Sequence, residues 1–589
     1  MKNKFREILL NAKEVIFRYP LVLLMSAIMA VVAVCLIEDA DENFTLFKIL
    51  IVASIGISLM FALKMLSQRM NKGFIIEILG IVFLIGFYFI LPNEEKDFTE
   101  MYAYLLVPVY VMSHLLVSFV AFAKRENYER HFWQYNKSLF VNFFLTIVFT
   151  GVLTGGVELA VLAVDKLFNV GFDDNLYGKI FVSLLIFGST FIFLLFNETG
   201  LDFLEKEGNY PVVLKFFTQY VLIPLLCIYA VILYFYSAKI LINWELPRGW
   251  VSYLVLAYSL IGILALLLVH PLKEDNAKSW VKMFSKVFYF TLIPLVVLLF
   301  IAIFTRVLEY GYTEPRYFVL LLAVWLSSVV LYFIFRKNPT IKFIPISLFC
   351  FGLFALIFPY FNTFSVAKRS QKNELEKILT QNNLLKNGKI DFAKEIQDTV
   401  VSEIVDKFDF LSDRFQNEYL QNYLDEKTQS EFKENGYWNL HQKFTNKKWT
   451  ESVDPHPNPY RNLVAKRKIY SLGDYQYMVS HNDLLQNSLE INADLIELNF
   501  QSNNNNRYLF KLNKNTTLDL TPQIEKIFEE NKSTPNNHEL DELSVEGDLG
   551  NYHIKVYFKS MNRSHYGSDD VNYWFENPVI LIKENSSNP

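Results

Sequence analysis

Before Phe361 the chain returns eleven times to apolar runs close to the length that crosses a bilayer, about 20 residues for a hydrocarbon core of ~30 Å. The first five run Leu21 to Ile37, Ile49 to Leu63, Phe74 to Leu91, Met101 to Ala123 and Leu139 to Val164. Six more follow: Ile180 to Phe196, Phe216 to Phe235, Val251 to Val269, Val287 to Phe304, Phe318 to Phe335 and Phe343 to Phe361. The second and sixth are short and borrow flanking residues, so the count carries a margin of one or two. In hydrocarbon the backbone must satisfy its own hydrogen bonds, which makes each run a helix. With 52% hydrophobic and 20% charged residues among 589, the chain is neither disordered nor an ordinary cytosolic protein. The expected fold is a mainly α polytopic transmembrane helix bundle of about 11 spans followed by a C-terminal soluble α+β domain. The expected divisions are 1–361 for the membrane domain, 362–465 for a helical connector and 466–589 for an α+β module.

Charge sets the expected orientation. Lys and Arg number 21 over the N-terminal tail and the even-numbered loops, against eight over the odd-numbered loops, and positive residues stay in the cytoplasm. An odd number of spans then carries the C-terminal half out of the cytoplasm, into the periplasm of a cell with two membranes. The first run lacks a small-x-small cleavage site before the acidic stretch Glu38 to Glu42 and reads as an anchor. Arg125 to Lys137, rich in aromatic and basic residues, suits the cytoplasmic headgroup layer.

Up to Phe361 there are 29 basic and 26 acidic residues, and after it 27 and 34, so the soluble half is net acidic. That excludes nucleic-acid binding through a basic stripe. The three cysteines, Cys35, Cys227 and Cys350, all sit in apolar runs, leaving the soluble half without a disulfide, a metal-binding cysteine pair or a redox pair.

Ionisable groups at membrane depth each cost about 2.5 to 3.5 kcal/mol by insertion scales and need partners or a wet cavity. Glu77, His114 and Glu158 are the candidates. As one cluster they would relay protons or hold a cation; singly, Glu77 and Glu158 lie near enough to span ends to reach the interface. Gly151, Gly155 and Gly156 allow close helix packing. Pro211, Pro224 and Pro294 are candidate breaks or kinks. Two extracytoplasmic loops stand out, Asn243 to Trp250 and Arg306 to Tyr317. Arg248, Arg306 and Arg316 with Glu309 and Glu314 are candidates for binding a headgroup or charged ligand, since Arg grips phosphate or carboxylate in two-point contacts; pairing among themselves is the plainer reading. Thr313 is the expected cap of the tenth span.

After Phe361, Leu375, Ile378, Leu379 and Leu385 form a helical stripe ending near Gly388. Phe392, Ile396, Val400, Ile404 and Phe408 predict a second helix behind Asp391. Alternation at Ile496, Leu498 and Phe500 and at Tyr508, Phe510 and Leu512 predicts a hairpin turning at Asn503 to Asn506. A short helix from Thr521-Pro522 to about Asn531, a strand over Ile554 to Phe558 and an edge strand over Val579 to Ile582 complete the module. No catalytic or phosphate-binding motif occurs in it. His456 sits among prolines, and His553, His565, Asp569 and Asp570 lack the spacing that enforces a metal site.

Trp280 to Phe290, Leu292 to Leu295, Arg306 and Tyr310-Gly311-Tyr312-Thr313-Glu314-Pro315-Arg316-Tyr317, with Glu245 to Trp250, resemble the polytopic membrane proteins of Bacteroidetes-type bacteria that carry domain of unknown function 4153. The resemblance covers most of the membrane half and implies its fold and location; it implies no activity, cofactor or catalytic residue. Three readings follow. The first is a non-enzymatic inner-membrane protein displaying its outer module for envelope binding, sensing or scaffolding, with membrane lipids and an envelope protein or glycan as partners. The second is a transporter or transport accessory using Glu77, His114 and Glu158. The third is a membrane enzyme acting on a lipid-linked or envelope substrate beside Arg306, Glu309, Glu314 and Arg316. The absence of catalytic motifs favours the first.

Overall fold

The computed structural model describes residues 2–585, apart from 39–42, 71–73, 124–128, 207–209, 244–249, 271–278, 436–439, 445–446, 449–459, 467–471, 481–487, 493, 500–506, 532–537, 567–569 and 577. Arg248, His456, Asp569 and the Asn503 to Asn506 turn lie outside the described residues. The chain forms two units, Met1–Lys448 and Trp449–Pro589.

Helices follow from the apolar runs. After α1 (Lys2–Arg18) come α2 (Pro20–Glu38), α3 (Phe44–Met70), α4 (Ile75–Ile90), α5 (Met101–Phe119), α6 (Glu129–Phe168) and α7 (Asn175–Leu195). Then come α8 (Val212–Ile240), α9 (Trp250–Val269), α10 (Ser279–Tyr310), α11 (Glu314–Phe335) and α12 (Phe343–Ile357). Among the described residues nine helices are long and apolar enough to cross a membrane, while α4 and α12 are shorter apolar helices. Residues such as Phe89, Val152 and Phe335 point outward on these helices. A helix that is apolar on every side is one built for hydrocarbon.

Two cores hold the apolar helices together. One gathers α1 to α6 around Ile55, Phe61 and Tyr135; the other gathers α8 to α12 around Val255, Phe288 and Trp325. Glycines permit the closest approaches: a Cβ at Gly262 would lie 2.2 Å from the Phe288 ring, and one at Gly80 would lie 2.4 Å from Leu63. Gly151, Gly155 and Gly156, expected to serve the same purpose, have no neighbouring atoms within 4 Å of such a Cβ and face outward from α6. Phe132, Trp133 and Tyr135, expected in a headgroup layer, are buried; Trp133 donates its indole N–H to the Leu267 carbonyl and stacks on Tyr210. Pro211 precedes α8, Pro294 is accommodated inside α10, and Pro224 follows a π-helical stretch, Phe217–Leu222. A second π stretch, Leu184–Gly188, widens α7. Thr313 takes the extended cap position of α11, but its hydroxyl accepts no capping bond.

The first unit ends in a helical layer built on α13 (Thr363–Gln381) and α14 (Asp398–Ser412), closed around Leu375, Leu379, Ile404 and Phe408. It departs from the expected pattern in two places. The stripe on α13 stops at Gln381, because Asn387 and Gly388 adopt positive φ and turn residues 385–390 into a small hairpin. Ile396 lies in a two-residue strand, so α14 begins seven residues after Asp391.

In the second unit three four-stranded sheets share a core with one helix, α15 (Thr521–Glu530). The strands are β1 (Tyr460–Ala465), β2 (Tyr477–Ser480), β3 (Leu489–Ile491), β4 (Asp494–Asn499), β5 (Leu509–Leu512) and β6 (Thr516–Asp519). They continue as β7 (His538–Leu540), β8 (Ser544–Leu549), β9 (Tyr552–Tyr557), β10 (Ser560–Tyr566), β11 (Asp570–Glu576) and β12 (Val579–Glu584). The orders are β6-β5-β4-β3, β7-β1-β10-β11 and β8-β9-β12-β2. Ile496 faces Leu512 and Leu498 faces Phe510, the pairing that alternation dictates. Expected at an edge, β12 instead lies between β9 and β2 with Ile580 and Ile582 fully buried.

Gly262→Val should lower membrane abundance and thermal stability through overpacking of roughly 1 to 3 kcal/mol. A second change, Phe288→Ala, should recover part of the abundance; no recovery on immunoblots would show that the Phe288 contact is not what excludes a side chain.

Candidate functional site at the end of the last spans

Chain reversal between α10 and α11 is made by Gly311 at φ +74°, where a Cβ would strike Ser370, Gln371 and Glu374 of α13. Glycine is required both for the left-handed backbone and for this contact. Around it the helical layer reads the loop backbone directly. The Tyr312 N–H donates to Ser370 Oγ at 2.8 Å, and Gln371 Nε2 donates to the carbonyls of Tyr310 and Tyr312 at 3.1 and 2.8 Å. The Tyr317 hydroxyl donates to the Phe361 carbonyl at 2.5 Å.

Beside the loop lies the most buried ion pair of the molecule's described residues. Arg414 Nε donates to Glu314 Oε1 at 2.7 Å and Nη2 to Oε2 at 2.9 Å, with side-chain exposures of 3% and 0%. The remaining faces of the guanidinium are also occupied. Nη1 donates to the Phe410 carbonyl at 3.0 Å, and the Phe410 ring lies 3.5 Å below the charge. Glu314 is the first residue of α11 and Arg414 is the second residue past the end of α14, so each charge meets the favourable end of a helix dipole. Just before α5, the Thr99 hydroxyl donates to the Asp413 carbonyl at 2.8 Å.

Of the residues expected at a ligand or headgroup site, Glu314 thus spends both oxygens on Arg414. Arg316 donates to the Gly311 and Tyr310 carbonyls at 2.8 and 3.2 Å and lies over the Tyr310 ring. Arg306 and Glu309, near the end of α10, form no hydrogen bond or salt bridge with the described residues. Lys407 of α14 lies close to Arg316; burial first, then that like charge, pushes its ammonium down from the usual range. Arg414, Gln371 and Ser370 were not singled out from the sequence. The only trace was Arg414 four residues after Phe410, and nothing local marks a partner 100 residues away.

The intramembrane candidates stay apart. Glu77 is buried on α4 and pairs with Lys64 of α3 at 3.0 Å. His114 Nδ1 bonds the Tyr110 carbonyl of its own helix at 2.8 Å. Glu158 belongs to the inward edge of α6, where Thr150 and Thr154 are buried; their hydroxyls and one Glu158 oxygen have no hydrogen-bond partner. No hydrogen bond or salt bridge among the described residues links the three candidates.

Fold and site define a multi-pass helical membrane protein whose last spans are clamped to a helical layer. The chain belongs to the family described as Domain of unknown function (DUF4153), whose model matches residues 24–393. The match takes in Glu314 and the loop, and ends before Arg414. An uncharacterized protein of Pasteurella multocida (strain Pm70) is 28% identical over 283 residues, 46% of this chain and 46% of that protein. The match therefore spans about half the length of this relative. No solved structure matches.

Removing one partner of a buried pair strands the other charge, at about 3 to 5 kcal/mol. Arg414→Ala should therefore lower the unfolding temperature of the detergent-purified protein strongly, and Glu314→Leu with Arg414→Met should restore much of the loss. Equal losses in the single and double variants would show that the charges themselves, not the stranding of one, carry the stability.

Proposed function

We propose that this protein is a non-enzymatic inner-membrane component that holds its N-terminus in the cytoplasm and displays its C-terminal unit on the outer side, for binding, sensing or scaffolding in the cell envelope. The observation that carries this reading is the Glu314–Arg414 clamp, which fastens the helical layer to the span ends with both charges withdrawn from solvent. A carboxylate and a guanidinium consumed in this way serve presentation rather than turnover. The orientation rests on the excess of Lys and Arg in the tail and even-numbered loops. Envelope proteins, glycans and membrane lipids are the partners such a placement offers.

Thr517, exposed on β6, reports the side directly. Thr517→Cys should react with a membrane-impermeant thiol reagent in cells whose outer membrane alone has been opened. The native Cys35, Cys227 and Cys350, all on apolar helices, should contribute little background. Reaction only after inner-membrane lysis would place the unit in the cytoplasm and remove the reading.

One observation favours a second reading, a transporter or transport accessory. The unpartnered oxygens of Thr150, Thr154 and Glu158 recur every fourth residue along one edge of α6, which packs against the π-widened α7. Under this reading Glu158→Gln should reduce pH-gradient-driven proton entry into proteoliposomes without reducing incorporation; an unchanged rate removes it.

A further inference from the structure

Between α5, α9, α11 and α12 lies a cavity of about 430 Å³ lined by Val107, Val111, Leu256, Phe318, Leu322 and Phe351, among others. That is within the range of small-molecule sites, roughly 300 to 1,000 Å³. Its lining contains no charged side chain, and hydroxyls come only from Tyr104 and Tyr253. Water would find too few partners to fill it. Gly352 borders the space, and Met112 packs against it, its sulfur 3.0 Å from where a Cβ would lie. Val107, Val111 and Tyr253 are exposed at its rim, so the cavity opens sideways out of the helix bundle.

One end of the cavity is chemically distinct. Tyr104 donates its hydroxyl to Glu100 at 2.7 Å, at the start of α5. Asp413 lies near Glu100: burial raises its carboxyl most, the adjacent Arg414 charge lowers it, and the Glu100 charge raises it again. Neither carboxylate forms a salt bridge with the described residues, and both are exposed. Glu314, close by, is already neutralised by Arg414, and Asp409 adds a further carboxylate beside Asp413. An open hydrocarbon slot that runs along membrane helices toward carboxylates without a salt-bridge partner matches an amphiphile with an apolar tail and an ammonium at the end of its head.

We propose that this cavity binds one acyl chain of a membrane lipid whose headgroup carries an ammonium, with the ammonium at Glu100 and Asp413. The bound chain would touch Pro315 and Tyr104, the residues next to the clamp on α11 and α5. The proposal is independent of which side of the membrane the C-terminal unit occupies.

The test uses full-length protein in vesicles containing phosphatidylethanolamine with a photoreactive diazirine in one acyl chain, and a parallel sample with the same chain on phosphatidylglycerol. Mass spectrometry of the peptides should find adducts on the cavity residues Val111 and Phe318 at a yield several-fold above the outward face of α6 at Val152. The ethanolamine probe should label the cavity more than the glycerol probe, and Glu100→Gln should erase that preference. Leu322→Trp, which fills the slot, should remove the cavity adducts and leave the Val152 adducts. Gly352→Leu, which drives Met112 inward, provides the same test should the tryptophan variant fail to fold. Equal yields at Val111 and Val152, or cavity labelling that survives both filling variants, would overturn the site and leave ordinary boundary lipid. Absence of cavity adducts beside a labelled α6 would also overturn it, in favour of a protein segment in the slot. Equal labelling by the two probes would overturn the headgroup assignment.

Discussion

Burying Glu314 and Arg414 removes two full charges from water, a loss that their attraction alone does not reliably offset. The arrangement works because little of either group is left unsatisfied: two parallel N–H to oxygen bonds, a carbonyl on the third nitrogen and an aromatic face beneath the charge. Both helix ends contribute their dipoles. An interaction of this kind tolerates one geometry, so it specifies how the helical layer meets α11 rather than merely adding adhesion. The Gly311 turn, the Gln371 contacts and the bond from Thr99, just before α5, converge on the same junction.

Below that junction a different constraint operates. Apolar helices in hydrocarbon gain little from hiding carbon from lipid, and they associate through shape and a few polar contacts. The close approach of Phe288 to Gly262 and of Leu63 to Gly80 is the first kind; Lys64 with Glu77 and Trp133 with the Leu267 carbonyl are the second. The same logic accounts for what stays open. Where α5, α9, α11 and α12 do not close on one another, the bundle retains a slot lined almost wholly by apolar side chains.

Much of the helical architecture was legible in the residues because hydrocarbon imposes a length and a composition on every span. Each of the eleven apolar runs contains a helix, and the alternation at Ile496, Leu498, Phe510 and Leu512 emerged as an antiparallel pair. Local pattern alone is ambiguous at several positions. Gly151 and Gly155 have the spacing of a packing surface, yet that spacing cannot say which way a helix is rotated. Ile396 fits a four-residue period but belongs to a strand that pairs with residues 447–448. Val579 to Ile582 looked like an edge because the strand that flanks it, Tyr477–Ser480, lies about 100 residues earlier.

The sequence by itself determined the division into apolar helices and a polar remainder, the charge bias of the loops, and the loop from Arg306 to Tyr317, since each follows from composition and patterning. Tertiary structure alone decided that Glu314 is a clamp and not a presented carboxylate, that Glu77, His114 and Glu158 have separate surroundings, and that a slot exists between α5, α9, α11 and α12. Those outcomes depend on partners far along the chain, such as Arg414 for Glu314. Burial and pairing are properties of the space around a side chain, and no window of sequence contains that space.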